Sequence, residues 1–187
     1  MNQFYHYANT PRFRKATPID SYQYISDKWA SDGKTAILRA DITAKQSDTM
    51  LRKTFKGYWS GKPQLVKDLK EYTRDHSKPN QFEKMLAPHM AKLTPAQVIA
   101  AWDFYTEKRY GYYPQTFHFT LVRDAGGAVH VFDAERLRKL IAAYQDTTAK
   151  MYISGEGAAI FVSRGKPRAL LMPIRCDDEM REIVRAA

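Results

Sequence analysis

The sequence predicts an α+β fold, a small mixed sheet with packed helices and a helical elaboration, in one domain spanning residues 1–187. Three observations predict it. Leu137, Leu140, Ile141 and Tyr144 recur at the spacing of one helix face. Short apolar runs in "QTFHFTLVRD", "VHVFD", "KMYIS" and "AAIFVS" are separated by glycine turns, as strands are. Residues 46–93 are rich in lysine and helix formers, which marks a helical, basic section.

Taken in order, residues 1–18 carry Phe4, Tyr5 and Tyr7, then two prolines around Arg12, Arg14 and Lys15. That spacing disfavours a helix and suits, equally well, an extended arm whose bases reach a phosphate backbone or a floppy tail. Tyr22, Ile25 and Trp29 then suit a short amphipathic helix from Ile19, stopped at "SDGK" by Gly33. "TAILRADITA" follows as a strand, with Ile37, Arg39, Asp41 and Thr43 on one face and Leu38, Ala40 and Ile42 on the other. In "QLVKDLKEYTRD", Leu65, Leu69 and Tyr72 share a helix side, and breaks fall at Gly61, Pro63 and Pro79. "TPAQVIAAWDFYTEKRYG" reads as a helix, capped by Thr94, opened by Pro95 and closed by Gly111. "QTFHFTLVRD" and "VHVFD" form a hairpin around "AGGA", and a helix starts after the cap Asp133. "KMYISGEG" and the hairpin of "AAIFVSRGKPRALLMPIR" complete the fold, before a short charged tail helix.

Composition narrows the function. There are 30 Lys and Arg against 20 Asp and Glu, a formal charge of +10 that attracts polyanions, nucleic acid first among them. The 12 Tyr, 9 Phe and 3 Trp offer faces for base stacking, although most are explained more simply as core. The lone Cys176 forms no intrachain disulfide, and no secretion signal or long apolar run is visible, so the expectation is a soluble cytoplasmic protein without a membrane partner. Acidic neighbours, Asp177 and Asp178, disfavour Cys176 as a nucleophile. "SGEGAA" lacks the Gly-Lys-Ser/Thr of a phosphate-binding loop, and no serine-hydrolase elbow occurs. The histidines show no metal-ligand spacing, and "HFT" at His118 lacks the second copy that two-histidine phosphoesterases need. His118 and His130 meet, if at all, as packing partners across the hairpin.

The chemistry concentrates in "DAERLRK". Glu135 and Lys139, four apart with the acid first, suit an exposed helix pair. Arg136 and Arg138 fit that explanation less well, because cations near a helix N-terminus oppose its dipole; a phosphate held there by outward N–H groups and guanidinium forks accounts for them.

The segment Ala96–Ala143, ending in "DAERLRKLIAA", resembles the core of the ParB/sulfiredoxin fold, with its motif D-G-E-R-R-x-x-A after a short hairpin. Asp133, Glu135 and Arg136 match its acid, acid and first arginine; Ala134 replaces the glycine and Leu137 the second arginine. The sulfiredoxin cysteine has no counterpart. The resemblance implies a ParB-like core over 94–175 and a nucleotide-regulated, metal-assisted DNA nuclease of a mobile element, one that blocks plasmid or DNA transfer as fertility-inhibition proteins do. In that picture Asp133, Glu135 and Arg136 are catalytic, Asp133 and Glu135 hold Mg²⁺, and ATP or another nucleotide is the cofactor. Arg138, Lys139, Arg123, Lys108 and Arg109 bind phosphate or nucleic acid, with DNA and a protein of a DNA-transfer system as partners. The alternative is a non-enzymatic basic protein that contacts DNA, RNA or an acidic host protein. "IFVSRGKPRALLMPI" also resembles the Phd/YefM antitoxin hairpin, although turn chemistry alone accounts for it.

Overall fold

The computed structural model describes residues 17–26, 28–56, 84, 86–106, 115–144, 148–176, 181, 182, 184 and 185. The proposed arm Arg12, Arg14 and Lys15, the breaks at Gly61, Pro63 and Pro79, the helix over 64–75, and Lys108 and Arg109 lie outside them.

The architecture departs from the α+β expectation. Among the described residues the chain forms one nine-stranded sheet in which every pairing is antiparallel, with two α-helices. The strands are β1 (Tyr24–Ile25), β2 (Trp29–Ser31), β3 (Thr35–Leu38), β4 (Thr94–Thr106), β5 (Gln115–Asp124), β6 (Val129–Asp133), β7 (Lys150–Ile153), β8 (Ala159–Ser163) and β9 (Lys166–Leu171). Their spatial order is β1-β2-β3-β9-β8-β7-β4-β5-β6. Helix α1 spans Ala44–Lys56 and α2 spans Ala134–Tyr144.

Two predicted helices are strands. Over Ile19–Trp29 the chain makes the β1–β2 hairpin, because Ser26 Oγ accepts the N–H groups of Trp29 at 2.9 Å and Lys28 at 3.3 Å. Such a local bond offers the backbone an alternative to the helix. Gly33, at φ +86°, then serves a hairpin turn, not a helix end. There Asp32 Oδ1 accepts the N–H groups of Lys34 and Thr35 at 3.1 and 2.8 Å.

The second is 94–106, a strand paired with β5 along its length. Its register shifts between Val98 and Ala100. Ala96 and Val98 pack on one core while Ile99, at the bulge, packs on another with Phe119, Leu121 and Val131. A bulge breaks the period of two and leaves consecutive apolar residues that imitate a helical stripe. Pro95, which cannot donate to a ladder, sits at the start of β4. With a strand at this position, the helix–hairpin–helix order of a ParB/sulfiredoxin core is absent.

The hairpins β5–β6 and β8–β9, strand β7 and helix α2 fall where the sequence places them. Strand β3 ends sooner, at Leu38, in a 3-10 turn over Arg39–Asp41. Helix α1 begins with a reciprocal cap: Gln46 Oε1 accepts Thr43 N–H at 2.9 Å, and Thr43 Oγ1 accepts Gln46 N–H at 3.3 Å.

Period-two alternation gives the sheet two apolar faces. One carries Ile25, Ile37, Met151, Ile153, Phe161, Ala169, Leu171, Val122 and Phe132, closed by Met50 of α1 and by Leu137, Leu140, Ile141 and Tyr144 of α2. The opposite residues of the same strands, Trp29, Ala36, Ile160 and Leu170, pack with Leu86, Met90 and Leu93. Strands buried on both faces explain the unbroken runs "AAIFV" and "ALLM". Beyond β9, Ile174 N–H donates to Val131 O at 2.8 Å, so the sheet curls until β6 lies beside the segment after β9.

Candidate functional site: the two charged ends of the sheet

Helix α2 begins as expected, with Asp133 Oδ1 accepting Arg136 N–H at 2.9 Å. The side chains of "DAERLRK" are engaged within the protein. Arg136 pairs with Asp32 through Nη1 and with Asp20 through Nη2, the latter at 3.2 Å. Lys139 Nζ reaches Asp20 Oδ1 at 2.6 Å and Glu135 Oε1 at 3.0 Å. Burial opposes both charges, but Asp32 and Asp20 outweigh it for Arg136, and Asp20 and Glu135 for Lys139, so both pKa values are raised. The guanidinium that the sequence offers to a phosphate therefore clamps the β2–β3 turn onto α2.

Asp133 and Glu135, the predicted metal ligands, gain no third partner: among the described residues no group of three or more His, Cys, Asp or Glu could hold a metal ion. Arg138 is half-buried on α2 and Arg123 half-buried on β5, facing Val129 in register. His130 stands opposite Val122 while His118 falls beyond Phe119, whose partner is Asp133, so the two histidines do not meet across the hairpin. His130 Nε2 lies 3.1 Å from Asp124 Oδ2 instead. The His130 hydrogen bond first, and the N–H groups of Ala128 and Gly126, hold the Asp124 carboxyl below its ordinary range. Cys176 packs against the cluster of Phe119, Leu121 and Val131, and burial pushes its thiol up, opposed by the Arg181 charge.

The other end of α2 holds a second polar knot. Tyr144 OH donates toward Asp41 Oδ2 at 2.8 Å and Arg168 O at 3.0 Å, and stacks on Phe161. Arg168 grips Asp41 in a fork, Nε to Oδ2 at 3.0 Å and Nη2 to Oδ1. Burial and the Asp41 charge push the Tyr144 phenol far above its ordinary value, keeping it a donor.

Around this knot the topology gathers cations that the sequence scatters. Arg39 N–H donates to Lys28 O, Trp29 faces Leu38, Ile37 faces Ala169, Ser163 faces Lys166 and Lys150 faces Val162. Lys28, Arg39, Arg168, Lys166, Arg164 and Lys150 thus line one end of β2, β3, β9, β8 and β7, with Lys45 at the nearby start of α1. Lys28, Lys45, Lys150, Arg164 and Lys166 are exposed. The described acids near them are Asp41, taken by Arg168, and Asp48. At the opposite end Lys34, Lys92, Arg136 and Lys139 stand among Asp20, Asp32, Asp133, Glu135 and Glu156, four cations against five acids, so charge there is close to balance.

The fold and this polarity define a class: an antiparallel sheet protein with one strongly basic end. No family model, no curated protein and no solved structure matches the chain. No helix of the described residues is long and apolar enough to cross a membrane.

Proposed function

We propose that the protein binds nucleic acid through the basic end of its sheet. The observation that carries this reading is the convergence of Lys28, Lys45, Lys150, Arg164 and Lys166, all exposed, from segments far apart in sequence. Five adjacent strands at about 4.8 Å spacing make that end roughly 19 Å wide. Duplex DNA presents about 11 phosphate charges over such a length. The engagement of Arg136 and Lys139 by Asp20 and Asp32 favours this binding reading over nuclease chemistry in "DAERLRK".

The test is fluorescence anisotropy with a labelled duplex across a NaCl series. If the five exposed cations all contact phosphate, the slope of log K against log salt is about −4.5. Binding that is absent at about 50 mM salt, or insensitive to salt, refutes the proposal.

A further inference from the structure

The β8–β9 turn is built in an unusual way. Ser163 and Lys166 pair directly, so Arg164 and Gly165 form a two-residue loop, with φ +51° and +72°. Both central residues of such a turn lie in the left-handed region, where Asn-Gly is the favoured sequence. Gly165 meets that demand at no steric cost, but Arg164 does not, because its Cβ crowds the backbone. The chain therefore holds an arginine at the tip of a hairpin where asparagine would fold better. Sparsely populated backbone conformations of this kind cluster at functional positions.

Other features point the same way. Arg164, Gly165 and Lys166 are exposed, and nothing lies within 4 Å of a Cβ built on Gly165. The register shift between Phe161 and Val162 adds twist just before the turn. Lys150 on β7 and Lys28 and Arg39 beyond β9 flank the tip. Among the aromatic residues whose side chains are described, none is exposed: Tyr22, Trp29, Phe119, Phe132, Tyr144 and Phe161 are buried, and Tyr24 and Tyr152 partly so. Single-strand binders stack bases on exposed aromatic faces, and none of these eight aromatics presents one beside the cations. A two-stranded ribbon tipped by a planar, forked cation matches a duplex groove between two phosphate rows.

From this we infer that the basic end is specific for double-stranded nucleic acid and that Arg164 enters a groove, with Lys28, Lys150 and Lys166 on the flanking phosphates. The inference rests on the nucleic-acid reading above.

Arg164→Asn separates the two. It suits the left-handed turn, so thermal unfolding moves to equal or higher temperature, while duplex affinity falls about tenfold, the size of a lost arginine groove contact. Lys150→Gln with Lys166→Gln lowers affinity and flattens the salt slope. For the unaltered protein, duplex is bound at least tenfold more tightly than the single strand of the same sequence. If neither nucleic acid binds, the nucleic-acid reading fails and this inference with it. If duplex binds but Arg164→Asn leaves affinity unchanged while the lysine pair abolishes it, only the groove role of Arg164 falls. Preference for the single strand overturns the duplex assignment alone.

Discussion

Replacing Asp32 by alanine breaks the anchor between the β2–β3 turn and α2, and the structure sets the size of the loss. The Asp32 side chain is 2 % exposed and that of Arg136 19 %, so the pair is largely withdrawn from water. Removing one partner of such a pair costs about 3–5 kcal/mol. Asp32→Ala belongs near the top of that range, because the carboxylate also accepts the N–H groups of Lys34, Thr35 and Asp20. Arg136→Met costs less, about 1.5–3 kcal/mol, since those N–H groups still serve the carboxylate. The double variant falls short of the sum by about 1–2 kcal/mol. In urea unfolding with a slope near 2 kcal/mol per molar, Asp32→Ala lowers the midpoint by about 2 M. Additive effects, or Arg136→Met within about 0.5 kcal/mol of the unaltered protein, refute the structural role given to Arg136.

Two further outcomes follow from the same structure. Tyr144→Phe keeps the stacking on Phe161 but leaves Asp41 without its phenol donor, so urea unfolding shows a loss of about 1–2 kcal/mol. A loss near zero means that the Arg168 fork alone satisfies Asp41. The Asp124 carboxyl has a folded pKa below its ordinary 3.8, so its contribution is present above that value and disappears as pH falls through the depressed one. Acid titration of stability is therefore less steep below about pH 4 in Asp124→Asn than in the unaltered protein, and equal slopes contradict the assignment.

What the sequence reveals depends on whether the forces are local. Helix α2 was legible because Leu137, Leu140, Ile141 and Tyr144 keep one period and Asp133 caps them. The β5–β6 and β8–β9 hairpins were legible through glycine turns and apolar runs. Strand β4 was not, because the bulge near Ile99 converts an alternating pattern into one that looks helical. Arg136 illustrates the limit for the site. Its conflict with the helix dipole is visible in sequence, but its resolution, Asp32, lies 104 residues away. The basic end was equally hidden. Lys28, Lys150 and Lys166 become neighbours only because β9 inserts between β3 and β8, and no local pattern announces that crossover.

The most direct test of the account compares the two ends of the sheet. Duplex binding is measured by anisotropy for Lys150→Gln with Lys166→Gln, at the basic end, and for Lys34→Gln with Lys92→Gln, at the balanced end, each pair removing the same charge. The account predicts that the first pair reduces the salt slope by about 2 and weakens binding, while the second leaves the slope nearly unchanged. Equal effects from both pairs would mean that net charge alone attracts the nucleic acid and that the basic end is not the binding site.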